Sequence, residues 1–136
     1  MGATFRLKVV TPNGAAYDEE VSSLTANTTA GEITVLSEHC LLLSALEAGR
    51  MIAVTKNDQK QIFALDTGFL EAGPNHVNII SENCAQAADL DADKLNGEVK
   101  EIQAKIDAAD PAAPERSTLE ARRAWIDACL SVVAGK

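Results

Sequence analysis

Aromatic residues, basic residues and long apolar runs are all scarce in this sequence of 136 residues. Phe, Tyr and Trp together make up 4% of it, which leaves few side chains on which nucleic-acid bases could stack. Lys and Arg number 12 against 20 Asp and Glu, for a net charge of -8. No broad basic face can therefore neutralise phosphates, and a nucleic-acid partner is excluded. No apolar run approaches the roughly 20 residues of a membrane-spanning helix.

Cysteine is also scarce, and its placement indicates neither a disulfide framework nor a metal site. The three cysteines are odd in number and far apart, which favours free thiols in a reducing compartment. His39 and Cys40 are neighbours, but no CxxC or HxxxH pair accompanies them, so no metal is expected. No phosphate-cradling glycine loop occurs, and no catalytic residues are predicted. One weaker alternative is an enzyme that uses His39 and Cys40.

The first part of the chain, to about residue 88, has the two-residue period of β-strands. Phe5-Arg-Leu-Lys-Val9 alternates apolar and charged residues, as a half-buried strand does. Thr11-Pro-Asn-Gly14 is typical of a turn. Short strands at roughly ten-residue intervals, with turns between them, predict an antiparallel sandwich or barrel over residues 1–88.

From Asp89 onward the period is helical. Asp89 or Asp91 is expected to cap a first helix, which Asp110-Pro-Ala-Ala-Pro114 ends. Ser117-Thr-Leu-Glu120 has capping-box form and is expected to introduce a second helix. The first helix has one apolar stripe, formed by Leu95, Val99, Ile102 and Ile106. Because the connection is short, the helices should form an antiparallel hairpin over residues 89–136.

This hairpin is predicted to be the less stable part of an α+β fold. Two helices alone enclose little core, and the second helix has a broader apolar stripe than one partner helix can cover. Gly97 in the first helix costs about 1 kcal/mol relative to alanine. The hairpin is therefore expected to dock on the β part, to dock on another protein, or to alternate between the two.

Four consecutive segments carry a resemblance to a known family. Gly31-Glu-Ile-Thr-Val-Leu-Ser-Glu-His-Cys-Leu-Leu-Leu43 follows a Gly-acidic-hydrophobic pattern that ends in Leu-x-x-His-x-x-Leu-Leu. Gly49–Ile52, Phe63–Ile80 and Ser81–Asp91 match further motifs in the same order and spacing. Together they resemble the ε subunit of F-type ATP synthase over essentially the whole chain. The sequence departs from the family pattern at Thr34, where glycine is common, and at Cys40-Leu41, where Ala-Pro is common.

The resemblance implies a fold of an antiparallel β-sandwich with about ten strands, followed by a two-helix hairpin. It implies a non-catalytic rotor subunit in proton-driven ATP synthesis, bound to the γ subunit and to the c-ring. It further implies that the hairpin can extend to the α and β subunits of the catalytic head and inhibit ATP hydrolysis. The implied location is the cytoplasmic face of the bacterial inner membrane, peripheral to the membrane through the complex.

The resemblance also implies site residues in the sandwich. Thr11, Glu32 and His39 match family positions in loops that contact the c-ring and γ. Rim charges of this kind fix register more than affinity. Leu42 and Leu43 match the family's Leu-Leu pair and are expected in the core.

In the hairpin, the resemblance implies that Asp91, Lys94, Arg122 and Arg123 meet the catalytic head or, in an alternative, bind regulatory ATP. Lys94 stands where ATP-binding members have arginine, so the planar fork that grips phosphate is lost. No cofactor is otherwise expected. The alternative from a different class is a free-standing adaptor, in which the sandwich and the hairpin each bind a partner protein.

Overall fold

The computed structural model describes residues 3–37, 41–86 and 89–134. In these residues nine β-strands precede two α-helices, which confirms the α+β class with nine strands where about ten were expected. The strands are β1 (Phe5–Thr11), β2 (Gly14–Thr28), β3 (Gly31–Leu36), β4 (Leu42–Leu46), β5 (Gly49–Thr55), β6 (Lys60–Leu65), β7 (Gly68–Ala72), β8 (His76–Ser81) and β9 (Cys84–Gln86). The helices are α1 (Ala92–Ala108) and α2 (Pro114–Ala134). The boundary predicted at residue 88 lies outside the described residues and stays a prediction.

Strand β2 joins the two sheets of the sandwich. Its first half pairs antiparallel with β1, and its second half pairs antiparallel with β3 and β5. The strand order is β1-β8-β7-β4-β2-β5-β6-β9, with β1 and β8 parallel. Strand β2 has 15 residues. It is longer than the weak alternation of apolar and polar residues in this part of the sequence indicates. It begins at Gly14, whose φ of 116° is a conformation that glycine adopts at no steric cost.

The inner faces of the two sheets enclose the main hydrophobic core. Tyr17 and Phe63 meet there edge to face, with ring centroids 4.9 Å apart, a favoured aromatic geometry. The Tyr17 hydroxyl donates a hydrogen bond to Gln61 Oε1 at 2.5 Å. The largest fully buried side chains of this main core are Leu7, Val9, Val21, Leu24, Val35, Met51, Phe63, Leu70, Val77 and Ile79.

The hairpin forms a second, smaller core on the outer face of β5 and β6. Helix α2 packs on these two strands, and α1 packs on α2. The predicted stripe of α1 is confirmed, since Leu95, Ile102 and Ile106 are buried against Ile126, Cys129 and Val132 of α2. The layer order is therefore sheet, α2, α1.

Helix α1 ends before Asp110, as predicted, but α2 begins earlier than expected. It starts at Pro114, whereas the capping-box pattern places the start at Ser117. Proline is favoured at the first helical position because its fixed φ suits the helix and its missing N–H would have no partner there. Ser117 therefore lies inside the helix, and the prediction that it introduces the helix is wrong.

Candidate functional site

Three exposed apolar side chains and one half-buried one form a patch on the outer face of β1, β4, β7 and β8. They are Val10, Leu43, Phe69 and Ile80, and we call them the apolar patch. Cross-strand register places Ile80 beside Phe69 on one side and beside Val10 on the other. Phe69 is 58% exposed, Ile80 61% and Leu43 72%. They border a shallow cavity of about 400 Å³.

The apolar patch exists because these strands carry apolar residues on both faces. Each patch residue sits next to an inward-facing partner, as in the doublets Val9-Val10, Leu42-Leu43, Phe69-Leu70 and Ile79-Ile80. An antiparallel sheet with one solvated face normally alternates apolar and polar residues. A contiguous exposed apolar surface marks a protein interaction site.

The prediction that Leu43 lies in the core is wrong. Its neighbour Leu42 does pack against the core, as predicted. Successive side chains of a strand point to opposite faces, so both leucines of a doublet cannot enter one core. This repeated doublet pattern was the sequence signal for the patch, and the sequence interpretation missed it.

Polar side chains border the apolar patch. Glu71 accepts a hydrogen bond from Asn78 Nδ2 at 3.4 Å, and its carboxylate lies 3.7 Å from His76 Nε2. Lys8 lines the same cavity from β1. An apolar centre with a polar rim is the usual composition of a protein–protein interface.

Thr11 and Glu32, two of the sandwich residues predicted from the family, are not brought together. Thr11 follows Val10 of the patch at the end of β1, where its Oγ1 accepts from Asn13 N and donates to Gly14 O, both at 3.2 Å. Glu32 is the second residue of β3 and lies opposite Asn27 of β2. The two residues therefore lie at opposite ends of the long strand β2. His39 lies outside the described residues.

Glu32 lines a groove between α2 and the sheet. The groove has a volume of about 410 Å³, and Arg50 of β5 and Asp127 of α2 line it as well. Glu32 is thus exposed on the side of the sandwich that carries the hairpin, whereas the apolar patch is on the other outer face.

In the hairpin, Asp91 is the N-cap of α1, which confirms the capping prediction. Its carboxylate accepts hydrogen bonds from the backbone N–H groups of Asp93 at 3.0 Å and Lys94 at 3.5 Å. These contacts satisfy N–H groups that have no partner inside the helix. Asp91 thus has a structural role whether or not it also meets a ligand.

Two of the three basic residues predicted in the hairpin, Arg122 and Arg123, lie beside carboxylates. Arg122 Nη2 is 3.7 Å from Glu98 of α1, and Glu98 follows Lys94 by one helical turn on the same face. Arg123 pairs instead with Asp127 of its own helix at 3.5 Å. Arg122 thus contacts the Glu98 carboxylate, which lies on the helix face that also carries Lys94. Arg123 points about 100° away from Arg122 around the helix.

Two further features concern metals and membranes. Among residues 3–37, 41–86 and 89–134, no three His, Cys, Asp or Glu side chains are grouped so that they could hold a metal ion. Neither α1 nor α2 has the length and hydropathy that crossing a bilayer requires.

Of the described residues, Cys129 is a buried free thiol and Cys84 a half-buried one. Burial raises the pKa of Cys84 to about 11. Burial, and then the negative charges of Asp66 and Glu98, raise the pKa of Cys129 to about 11 as well. A thiol that stays protonated at neutral pH is a poor nucleophile, so neither cysteine has the chemistry of a catalytic thiol.

Comparisons with known proteins agree with this architecture. The family model for the ATP synthase delta/epsilon chain β-sandwich domain matches residues 4–87. The chain is 29% identical over 122 residues to the ATP synthase epsilon chain of Gloeothece citriformis, covering 90% of this chain and 88% of the relative. It is 31% identical over 121 residues to the chloroplastic ATP synthase epsilon chain of Medicago sativa, covering 89% and 86%.

Solved structures show the same fold at low identity. A chain of the Euglena gracilis mitochondrial ATP synthase, determined as OSCP, F1 and c-ring, has a TM-score of 0.82 at 21% identity, covering 99% of this chain and 82% of that one. A chain of the Tetrahymena thermophila mitochondrial ATP synthase central stalk and c-ring has a TM-score of 0.60 at 15% identity, covering 96% and 97%. With the family model matching the whole sandwich, the chain belongs to the ATP synthase delta/epsilon chain family.

Proposed function

We propose that this chain is a non-catalytic rotor subunit of an F-type ATP synthase, coupling the γ subunit to the c-ring in proton-driven ATP synthesis. Family membership supports the rotor role, and the apolar patch is the observation that carries the binding of γ. When a partner covers exposed aliphatic and aromatic side chains on a sheet face, the burial favours binding by about 25 cal/mol per Å² of apolar surface. A free-standing adaptor would also use such a patch, so the identity of the partner decides between the two.

The apolar patch and the hairpin occupy different surfaces of the sandwich. Inward-facing Leu70 and Ile79 of the patch strands share the core with Met51 and Phe63 of β5 and β6. The outer faces of these strands therefore point in opposite directions. A partner on the patch would leave the hairpin free to stay docked or to leave.

Thr11, Glu32 and His39 are proposed to set the orientation of the rotor contacts. Thr11 adjoins the apolar patch, so we assign it to the γ contact. Glu32 and His39 are assigned to contacts with the c-ring and γ, as the family resemblance implies. Charged residues at an interface rim influence register and association rate more than affinity.

Co-purification with γ tests the proposed interface. Phe69→Glu in co-expressed chains should abolish recovery of the complex, because a charge on the patch would be buried without a partner. Leu36→Glu is the matched control, since Leu36 is also 58% exposed but lies on β3, outside the patch. Recovery of the complex with Phe69→Glu would contradict the interface. Failure of the unmodified chain to retain γ would favour the adaptor.

We also propose that the hairpin inhibits ATP hydrolysis when it reaches the catalytic head. Its core is separate from the sandwich core, so the hairpin can leave without opening the sandwich. Deleting residues 89–136 should raise ATP hydrolysis by the assembled enzyme while assembly persists. Replacing Arg122 and Arg123 by alanine should give the same relief if these arginines contact acidic segments of the head. Unchanged hydrolysis by both variants would contradict inhibition.

Regulatory ATP is proposed as a ligand only at the α1–α2 face that Lys94 and Arg122 flank. Glu98 lies 3.7 Å from Arg122 and one helical turn from Lys94, and its carboxylate would repel phosphate. Titration with ATP, followed by fluorescence of the sole tryptophan, Trp125, is the direct test. A saturable change in fluorescence that becomes larger or tighter in Glu98→Gln would support the site. No change in either the unmodified chain or Glu98→Gln would exclude it.

The proposed location is peripheral to the membrane, through attachment to the c-ring. The relatives include chloroplastic chains, and the solved structures are mitochondrial. The bacterial inner membrane, which the family resemblance implies, is therefore proposed beside a chloroplast or a mitochondrial membrane. Fractionation of the native source would identify which of them carries the chain.

A further inference from the structure

We propose that the γ surface which covers the apolar patch presents a basic side chain, lysine or arginine, to the carboxylate of Glu71. This inference rests on the proposed binding of γ at the patch and names the chemistry that the partner needs there. It follows from the position of one carboxylate within an apolar surface.

Glu71 lies at the junction of two shallow cavities on the outer face of the sandwich. Glu71 and Leu43 both line the cavity of about 400 Å³ that Phe69 and Ile80 border. The same two residues line a neighbouring cavity of about 530 Å³, together with Leu41, which is 83% exposed. A partner that fills both cavities therefore passes directly over the Glu71 carboxylate.

Strand register places apolar side chains on more than one side of Glu71. Leu43 of β4 lies directly opposite it, and residues in that relation have Cβ atoms about 4.5–5.5 Å apart. Phe69 precedes Glu71 by two residues on β7, so both side chains are on the same face. A partner that covers Leu43 and Phe69 thus removes water from Glu71 as well. An ionised carboxylate is costly to bury unless a cation or hydrogen bonds replace its water.

The contacts of Glu71 within the chain compensate its charge only weakly. Asn78 Nδ2 lies 3.4 Å from the carboxylate, and His76 Nε2 lies 3.7 Å from it. Both distances exceed the roughly 2.7–2.9 Å of a charge-assisted hydrogen bond. The Glu71 side chain is 62% exposed, so solvent reaches the carboxylate as long as the patch is uncovered.

The basic side chains of β1 are directed towards β2 rather than towards Glu71. Arg6 Nε lies 2.6 Å from the Asp18 carboxylate. The hydrogen bond from Arg6, and then the charges of Arg6 and Lys8, lower the pKa of Asp18. Lys8 reaches the cavity beside Glu71 only from its far side, because β8 separates β1 from β7. A cation that lies close to Glu71 in the complex therefore has to come from the partner.

The sign of the effect of removing the Glu71 charge distinguishes a basic partner surface from an apolar one. Opposite a basic side chain, the carboxylate favours binding, and its removal leaves that cation buried without a partner. Opposite an apolar surface, the carboxylate opposes binding, because nothing compensates the loss of its water.

The dissociation constant of the full chain and purified γ, measured at physiological ionic strength, tests the proposal. Glu71→Gln removes the charge at nearly unchanged shape and should weaken binding by about tenfold or more. Glu71→Leu joins the apolar side chains on both sides of this position and should nevertheless weaken binding too. Both substitutions are at an exposed strand position, so neither disturbs the core.

Asp58→Asn is the matched control, because it removes the same net charge from an exposed turn between β5 and β6. The φ of Asp58 is 62°, a conformation that asparagine also adopts. This control should change the dissociation constant by less than about twofold, because salt screens charges that lie far from the interface.

Equal or tighter binding by Glu71→Gln or Glu71→Leu would overturn the basic partner, as would an equal loss in Asp58→Asn. An equal loss in His76→Gln would assign the compensating charge to this chain and would also overturn it. In each case, loss of binding by Phe69→Glu would leave the patch itself standing. Full binding by Phe69→Glu, or no binding of γ by the unmodified chain, would instead refute the proposed interface, and the basic partner with it.

Discussion

Arg116 of α2 donates a hydrogen bond from Nη1 to the carbonyl oxygen of Ile106 of α1, over a distance of 3.1 Å. The two residues are ten positions apart on different helices, with two prolines between them. The guanidinium lies at the carboxyl end of α1, where carbonyl groups lack helical partners and the helix dipole favours a positive charge. One side chain thus closes the turn and stabilises the end of the preceding helix.

Arg116→Met should lower the free energy of unfolding of the hairpin by about 1.5–3 kcal/mol, the usual value of a hydrogen bond to a charged group. Urea unfolding followed by Trp125 fluorescence measures the change, since this half-buried residue belongs to the hairpin core. Arg123→Met is the control, because Arg123 makes only an ion pair within its own helix. Equal losses in both variants would show that Arg116 does not act across the turn.

Gly97→Ala should stabilise α1 by about 0.5–1 kcal/mol, because glycine loses more backbone entropy in a helix than alanine does. The added methyl group would meet nothing within 4 Å, so no steric cost offsets the gain. Urea unfolding followed by Trp125 fluorescence compares Gly97→Ala with the unmodified chain. Gly68→Ala is the contrasting variant, since a Cβ there would collide with the backbone carbonyl of Ile80. A destabilising Gly97→Ala would contradict the helical environment found here.

Asp91→Ala should destabilise α1 by about 1 kcal/mol through loss of the N-cap. Asp91→Asn should cost much less, because the amide oxygen can still accept from the N–H groups of Asp93 and Lys94. Helical circular dichroism during thermal unfolding measures both variants. If asparagine and alanine were equally destabilising, the negative charge rather than the hydrogen bonds would be the stabilising feature.

Tyr17 should make the sandwich sensitive to alkaline pH. Burial, and then the Glu19 carboxylate, raise the pKa of Tyr17 to about 12, whereas an unfolded tyrosine has a pKa of about 10. Below pH 10 both states keep the proton and the stabilisation is complete. From pH 10 to 12 only the unfolded state loses the proton, so the free energy of unfolding falls by about 2–3 kcal/mol.

Titration of the near-ultraviolet absorbance measures this pKa directly, because Tyr17 is the only tyrosine of the chain. Tyr17→Phe should remove its share of the stability loss above pH 10, although it also loses the hydrogen bond to Gln61. A midpoint near 10 in the folded chain, or an unchanged alkaline stability profile in Tyr17→Phe, would refute the assignment.

Sequence patterns predicted the elements whose signal is local. The four-residue recurrence from Leu95 to Ile106 predicted α1, and Asp91 was among its expected caps, because both depend only on neighbours along one helix. The start of α2 was missed, since a proline that ends one helix is equally suited to begin the next. Family motifs indicated an ATP synthase epsilon subunit, and the family model and the curated relatives agree with it.

The order of a β-sandwich and a helical hairpin was determined by the sequence alone, because hydrophobic period is a local property of the chain. Which member of each apolar doublet faces solvent was decided by tertiary structure, since strand pairing sets the face that meets the core. The same holds for the surface on which α2 rests. Ala64 and Ile62 are ordinary strand residues in the sequence, and only the packing of the two sheets turns them outward beneath the helix.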